Sequence, residues 1–265
     1  MAVHYVIGDV HGCLRPLLRL LQREGLIDEN LAWSGGQAHL WFLGDYTDRG
    51  PDGLGVIEFI MHLEQSAQAT GGGVHGLLGN HDLMLLAARR FGDVEVPSFR
   101  RQGYRMTFYE IWRRVGGVEQ DLERLNETHI RWLQARPALA RVENTLLMHS
   151  DSLFYLDWGD DLEQINRSVQ GVLHSGDVDS WDALAEQFTT RFAFLGGLAP
   201  TEAFLGQLGA HRLVHGHTPV YSLIGVPPET VLYPLEYNDG LCVNVDPGLW
   251  KGGPGFAFLL SEGGG

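Results

Sequence analysis

The stretch Gly44-Asp45-Tyr46-Thr47-Asp48-Arg49-Gly50, GDYTDRG at residues 44–50, follows the apolar run His39-Leu40-Trp41-Phe42-Leu43. Two carboxylates and a guanidinium at the end of a buried-strand pattern have two readings. In one, Gly44 and Gly50 permit unusual backbone angles, aspartate is a common turn residue, Pro51 stops the segment, and the stretch is a turn. In the other, the charges serve chemistry at the strand's carboxyl end. The rest of the chain decides between them. Residues 3–7 run into Gly8-Asp9-Val10-His11-Gly12, residues 74–78 into Gly79-Asn80-His81-Asp82, and residues 145–148 into His149. Each reads as a buried strand followed by a polar cluster.

Between these strands the pattern changes period. Leucines three and four apart at 14–21, with Pro16 near the start, predict an amphipathic helix, and residues 52–64 and 82–90 read as the next two. Residues 160–173 and 182–191 suggest further helices. A β-rich end follows: 212–214 leading into His215-Gly216-His217-Thr218-Pro219, then 220–226, 241–246 and 256–260. Strand and helix alternation of this kind builds a layered α/β fold, whose ligands gather beyond the carboxyl ends of the strands. The polar clusters are therefore expected on one rim of a single domain spanning 1–265. Residues 91–137 break the alternation with Arg100, Arg101, Arg105, Arg113 and Arg114, and read as a mainly helical insertion able to roof the cleft. Its arginines are expected on a solvated face.

Composition narrows the function classes. Nineteen Lys+Arg against 33 Asp+Glu give a net charge of −14, which repels polyanions and counts against nucleic-acid or anionic-membrane partners. A bound divalent metal would reverse that field inside one cleft. Two cysteines, Cys13 and Cys242, are too few for a thiolate zinc site or a disulfide framework, although one bridge between them stays open. No run approaches about 18 consecutive apolar residues, and the expected location is the cytoplasm.

Asp9, His11, Asp45, Asn80, His149 and His217 supply oxygen and imidazole donors from five separate segments. Donors of this kind suit Mn, Fe or Zn. Two such ions about 3.5–4 Å apart can activate a water for in-line attack on phosphorus. The other histidines, His4, His39, His62, His75, His129, His174 and His211, lack a partner pattern and are expected to be structural. Gly71-Gly72-Gly73 precedes a strand instead of opening a helix, so it reads as a turn and not as a phosphate cradle.

In order along the chain, GDVHG at 8–12, GDYTDRG at 44–50, GNHD at 79–82, His149 and HGHT at 215–218 resemble the signature of the calcineurin-like metallophosphoesterases. The resemblance implies a central β-sandwich of two mixed sheets flanked by helices, and two divalent ions, foremost Mn(II). It implies that Asp9, His11 and Asp45 bind one ion, that Asp45, Asn80, His149 and His217 bind the other, and that Asp45 bridges them. His81 would protonate the leaving oxygen, with Asp48 orienting its imidazole and favouring its cationic form. Arg49 would clamp phosphate oxygens, and Arg191 is the candidate for a second clamping arginine. His215 would support the site without binding metal, and Asp82 would lie outside the ligand set. Residues 244–253 resemble the late loop that closes beside the site in bacterial relatives, and read equally as a plain turn.

The branch is divided. Asp48 points to the phosphoprotein Ser/Thr phosphatases, whose motif carries it and which hydrolyse phosphomonoesters by direct attack of a metal-bridging hydroxide. GNHD and the glycine-rich late loop point to diadenosine tetraphosphate and other nucleotide polyphosphate hydrolases, or to RNA-repair phosphatase relatives. The sequence expectation is the protein phosphatase, acting on a phosphoprotein or a phosphorylated small molecule, with the polyphosphate hydrolase as the alternative. A non-catalytic phosphate-binding scaffold is the third reading, and would be favoured by the loss of a ligand. No ligand is missing.

Overall fold

The structure is a computed structural model and describes residues 2–260. The short apolar segments form strands β1 (His4–Ile7), β2 (His39–Phe42), β3 (Gly73–Gly76), β4 (Leu139–Val142), β5 (Thr145–Met148), β6 (Arg212–His215), β7 (Leu235–Tyr237), β8 (Cys242–Asn244) and β9 (Phe258–Leu260). The first helices are α1 (Leu14–Arg23), α2 (Gly53–Gln68) and α3 (Asn80–Phe91). Four follow within 91–137: α4 (Pro97–Arg101), α5 (Phe108–Arg114), α6 (Glu119–Arg124) and α7 (Glu127–Gln134). The last four are α8 (Leu162–His174), α9 (Val178–Phe188), α10 (Leu198–Gln207) and α11 (Val220–Ile224).

The strands make two mixed sheets, ordered β3-β2-β1-β9 and β4-β5-β6-β8-β7. Strands β1, β2 and β3 run parallel, as do β5, β6 and β8, while β9, β4 and β7 pair antiparallel at the edges. Six parallel strands thus deliver their carboxyl ends to one rim. Val6, Leu43 and Leu77 from the first sheet and Leu147, Val214 and Val243 from the second are fully buried in one cluster between the sheets. Burial here is the main stabilising term, and truncating Leu147 to alanine would cost about 2–5 kcal/mol. The outer faces pack under helices: Leu17, Leu21, Ile57 and Ile60 cover the first sheet, and Ile165, Val169 and Leu205 belong to the same outer core.

Caps set where several helices begin. Asp52 accepts from Gly55 N at 3.0 Å, so α2 starts one residue later than the pattern places it. The first two N–H groups of α2, from Gly53 and Leu54, are taken at 3.0 and 3.1 Å by the buried carboxylate of Asp121 on α6. The 91–137 segment is thereby locked to the helix that follows GDYTDRG. Asp177 accepts from Ser180 N and starts α9 four residues before the expected position 182. Residues 220–226, expected as a strand, instead form α11 over 220–224: Pro219 precedes it, and Gly225 in the left-handed region with φ 70° ends it. Strands β4 and β7 and helix α10 lie in stretches where the sequence pattern gives no expectation. Both cysteines are buried and free, and no helix among the described residues is long and apolar enough to cross a membrane.

At the rim opposite the polar clusters the structural histidines form a row. His4 stacks on His39 and His39 on His75, with ring centroids 4.9 and 5.3 Å apart, and Trp41 stacks on His75 at 4.2 Å. Gly73 leaves the room for this, since a Cβ there would lie 2.6 Å from His39 Nδ1 and 2.7 Å from His75 Nε2. Those two nitrogens are 3.0 Å apart. Burial, then the neighbouring His39, His4 and Arg136, hold the His75 pKa down at about 4. A depressed histidine stabilises the fold above its unfolded pKa of about 6.5, and that contribution is lost as pH falls toward the folded value. In urea unfolding at pH 7.5 and 4.5, the stability difference between wild type and His75→Phe is therefore expected to shift in favour of the variant at the lower pH. A difference that does not move with pH would show that His75 is not buried as a neutral ring.

Candidate active site

Strand ends and helix starts bring the predicted residues to one rim. Asp9 and His11 follow β1, Asp45, Asp48 and Arg49 follow β2, His149 follows β5, and His217 follows β6. Asn80 and His81 are not in a loop but form the first turn of α3. Asp9, His11, Asp45, Asp48, Asn80, His81, His149 and His217 are all at most 4% exposed. His11, Asp45, Asp48, Arg49 and His217 adopt left-handed backbone, with φ between 46° and 68°. Non-glycine residues rarely occupy that region, and surrounding bonds must hold them there.

The main holder is Asp82. Its Oδ2 accepts from Asp45 N at 2.8 Å and Gly79 N at 3.1 Å, while its Oδ1 accepts from Tyr46 N at 3.0 Å and lies 3.4 Å from the Thr47 hydroxyl. Gly79 admits this closeness, since a Cβ there would collide with the Asp45 backbone. The other loop is tied in by the backbone, with His11 N and Gly12 N donating to the Asp45 and Tyr46 carbonyls, each at 2.8 Å.

Tautomers follow from these partners. His11 Nδ1 donates to Thr47 O and His149 Nδ1 to Leu43 O, each at 3.0 Å, and His217 Nε2 lies 3.3 Å from Thr189 O. The remaining nitrogens then present lone pairs. His149 Nε2 and His217 Nδ1 each face Asn80 Oδ1 at 2.9 Å, and Asp45 Oδ1 lies 3.4 Å from His149 Nε2. On the other side His11 Nε2 faces Asp45 Oδ2 at 3.4 Å and Asp9 Oδ2 at 3.7 Å. Asp9 Oδ2 is buried without a hydrogen-bond partner. Such converging acceptors repel one another unless a cation lies among them, so the donor set fits divalent metal ions. Asp45 turns one oxygen toward each group. By proximity of ligand atoms, the two groups are His11, Asp45 and His81, and Asp45, His149 and His217.

The electrostatics agree with a cation site. Burial, reinforced by Asp246 and by Asp82 respectively, pushes the Asp9 and Asp45 carboxyls well up. Burial also keeps the imidazoles neutral, lowering His11 and His217 strongly and His149 to about 3. His81 Nδ1 and Asp48 Oδ2 are 2.8 Å apart. The cationic His81 expected from that pair is opposed: burial, then Arg49 and Arg191, hold its pKa well below the usual value, while burial raises Asp48 to about 7. Arg49 spans the site, with Nη1 2.9 Å from His11 Nε2 and Nη2 2.8 Å from His81 Nε2. Trp250 lies against the guanidinium at 4.7 Å. Residues 244–253 thus flank the site, and Asp246 stands near enough to influence Asp9.

Several residues escape the sequence reading. Trp112 on α5 donates to Asp48 Oδ1 at 2.8 Å, and Arg49 N donates to Gly116 O at 2.8 Å, so the 91–137 segment reaches the site while its named arginines face solvent. Asp151 joins Thr218 Oγ1 at 2.9 Å to Phe192 N at 2.8 Å and thereby ties in the loop of Arg191, an exposed residue whose charge reaches His81, His149 and His217. His215 points away from the ligands, its Nε2 2.8 Å from the Tyr237 hydroxyl. Spacing could have found Asp82, three residues after Gly79 in a capping position; the others depend on distant contacts.

A mixed β-sandwich with paired acids, imidazoles and arginines on its parallel-strand rim is the architecture of a metallophosphoesterase. The model of the calcineurin-like phosphoesterase family matches residues 4–221, and the chain belongs to that family. It is 32% identical over 150 residues to a symmetrical bis(5'-nucleosyl)-tetraphosphatase of Neisseria meningitidis, covering 57% of this chain and 44% of that one. It is 48% identical over 82 residues to the enzyme of the same name from Legionella pneumophila, covering 31% and 25%. The alignments span less than half the length of these relatives. A cold-active protein tyrosine phosphatase from a psychrophilic Shewanella superposes with a TM-score of 0.72 at 23% identity, over 99% of this chain and 76% of that one. A protein serine/threonine phosphatase from Saccharomyces cerevisiae gives 0.57 at 14%, over 92% and 67%. At these identities the two structures share the fold.

The Asp82 carboxylate makes a testable claim on its own. Asp82→Ala strands three buried N–H groups, each worth about 1–3 kcal/mol when unsatisfied, so a loss of at least about 3 kcal/mol is expected in urea unfolding. Manganese bound per chain after dialysis should fall with it. A loss under about 0.5 kcal/mol with full metal content would remove Asp82 from its holding role.

Proposed function

We propose that this chain hydrolyses a dinucleoside polyphosphate, with a bis(5'-nucleosyl) tetraphosphate as its substrate class. The convergence of lone pairs around Asp45 carries the phosphoryl-transfer chemistry, and the names of the curated relatives supply the substrate class. The protein-phosphatase reading, preferred on sequence for Asp48, takes second place. One observation keeps it in view: the 2.8 Å contact of Asp48 with His81 Nδ1, which suits protonation of a poor leaving group.

Asp9, His11 and Asp45 would hold one divalent ion, and Asp45, Asn80, His149 and His217 the other. When bound, the ions supply positive charge to the phosphoryl oxygens and lower the pKa of a water nucleophile. Arg49, and Arg191 from its tethered loop, grip the remaining phosphoryl oxygens. Water adds to phosphorus, its proton is released to solvent, and the bond to the leaving oxygen breaks with the electron pair going to that oxygen. His81, neutral at rest, takes a proton at Nε2 from solvent and passes it to that oxygen where the leaving group requires one. A leaving phosphate is far less basic than a serine alkoxide, so it depends less on that proton. Burial lets these charges act at low dielectric, where they are strongest.

Initial rates with diadenosine tetraphosphate and with a phosphoserine/phosphothreonine peptide, measured with Mn(II) and after chelation, test the reading. The expected result is metal-dependent cleavage of the dinucleotide with ADP as the nucleotide product. Asp9→Asn should reduce it by on the order of 100-fold or more, beyond the 10–100-fold typical of residues that only support a ligand. His81→Asn should reduce turnover of the peptide by more than that of the dinucleotide. Metal-dependent release from the peptide alone would transfer the assignment to the protein phosphatase, and no turnover of either substrate with metal bound would leave a phosphate-binding scaffold.

A further inference from the structure

Beside the ligand cluster, helices α3, α4, α5 and α9 enclose a cavity of about 320 Å³. That volume is at the small end of the ~300–1,000 Å³ typical of small-molecule sites. Its walls include Met84, Phe99, Phe108 and Trp112, with Gln102 and Glu186 also in the lining. Two of its residues touch the site already described. Trp112 donates to Asp48 Oδ1 at 2.8 Å, and the Thr189 carbonyl lies 3.3 Å from His217 Nε2. The cavity therefore lies against the phosphoryl site, sharing Trp112 with the orienting acid and Thr189 with a ligand histidine.

The lining has a pronounced chemistry. Most of it is apolar and three walls are aromatic, an environment that accepts a flat ring by stacking. Asp182 also lines it, but its two oxygens are committed to Ser98 Oγ at 2.7 Å and Ser98 N at 2.6 Å. The side chains of Gln102 and Glu186 are exposed and, among the described residues, have no hydrogen-bond partner. They offer a guest two carboxylate acceptors and an amide. An aliphatic peptide side chain would fill the walls and leave both unmatched, whereas a planar ring with an amino group on its edge uses both kinds of surface.

We propose that this cavity is the nucleobase subsite of the substrate, taking an amino-bearing purine that stacks against the partly exposed Phe99 and donates from its exocyclic amine to Glu186. The inference rests on the dinucleoside polyphosphate reading and deepens it: one phosphoryl group meets Arg49 and His81 at the rim while the attached nucleoside reaches back between α4, α5 and α9. The 91–137 helices, together with α9, then select the substrate by its base.

Calorimetric titration of the intact, manganese-loaded protein with adenosine, purine riboside and ribose tests this directly, alongside KM for diadenosine tetraphosphate. Adenosine is expected to bind, purine riboside at least fivefold more weakly, and ribose not at all. Ala185→Phe, which fills the cavity from α9, should weaken adenosine at least tenfold and raise KM by a similar factor. Because a filled core can disturb folding, Glu186→Ala at an exposed position provides the second arm, and should abolish the preference for adenosine over purine riboside. Absence of adenosine binding, or equal binding by wild type and both variants, overturns the subsite even if the dinucleotide is cleaved. Adenosine binding that Ala185→Phe removes, in a protein that does not cleave the dinucleotide, sustains the subsite and sinks the activity instead.

Discussion

The site depends on one carboxylate that does not point at the reaction. Asp82, in the first turn of α3, accepts from three backbone N–H groups, two of them in GDYTDRG. Those bonds hold Asp45 at a positive φ that its side chain disfavours, so that each of its oxygens faces a different group of ligands. The same turn places the N–H of His81 on Asp45 Oδ1 at 2.8 Å. One helix terminus thereby fixes the backbone of the central acid, the direction of its oxygens and the position of the proposed proton donor. Strain stored in the loop is tolerated because several buried hydrogen bonds oppose its release.

Around that anchor, burial determines protonation. Water is excluded from carboxylates and imidazoles alike, which raises the acids and lowers the histidines, and leaves neutral rings with lone pairs directed inward. The cluster is unstable electrostatically by itself and well suited to divalent cations, which convert the penalty into binding energy. With a net charge of −14 the protein repels polyphosphates as a whole. Arg49 and Arg191 supply positive charge at the rim, where an anionic substrate would meet it.

The helices of 91–137 change character once their contacts are known. Arg100, Arg101, Arg105, Arg113 and Arg114 lie in solvent, as a charged helical face predicts, but Trp112 and Asp121 turn inward to Asp48 and to the amino terminus of α2. The segment read from sequence as an insertion able to roof the cleft thus supports the acid beside His81 and forms part of the wall of the adjoining cavity.

Strand, polar cluster and helix recur in the sequence with enough regularity to show that Asp9, His11, Asp45, Asn80, His149 and His217 share a rim, because hydrophobic period and glycine placement are local properties. The ligand types themselves announce metal chemistry. What local pattern could not supply is the partner at long sequence distance. Trp112 to Asp48, Asp151 to the loop of Arg191, and the stacked histidines at the opposite rim become neighbours only when the sheets pack and the strands align. The 220–226 segment shows the same limit in secondary structure, since an apolar run of that length suits strand or helix until Pro219 and Gly225 are placed in three dimensions. Sequence determined which groups could react; tertiary packing decided their tautomers, their charge states and the cavity beside them, because each of these depends on burial and on atoms contributed from elsewhere in the chain.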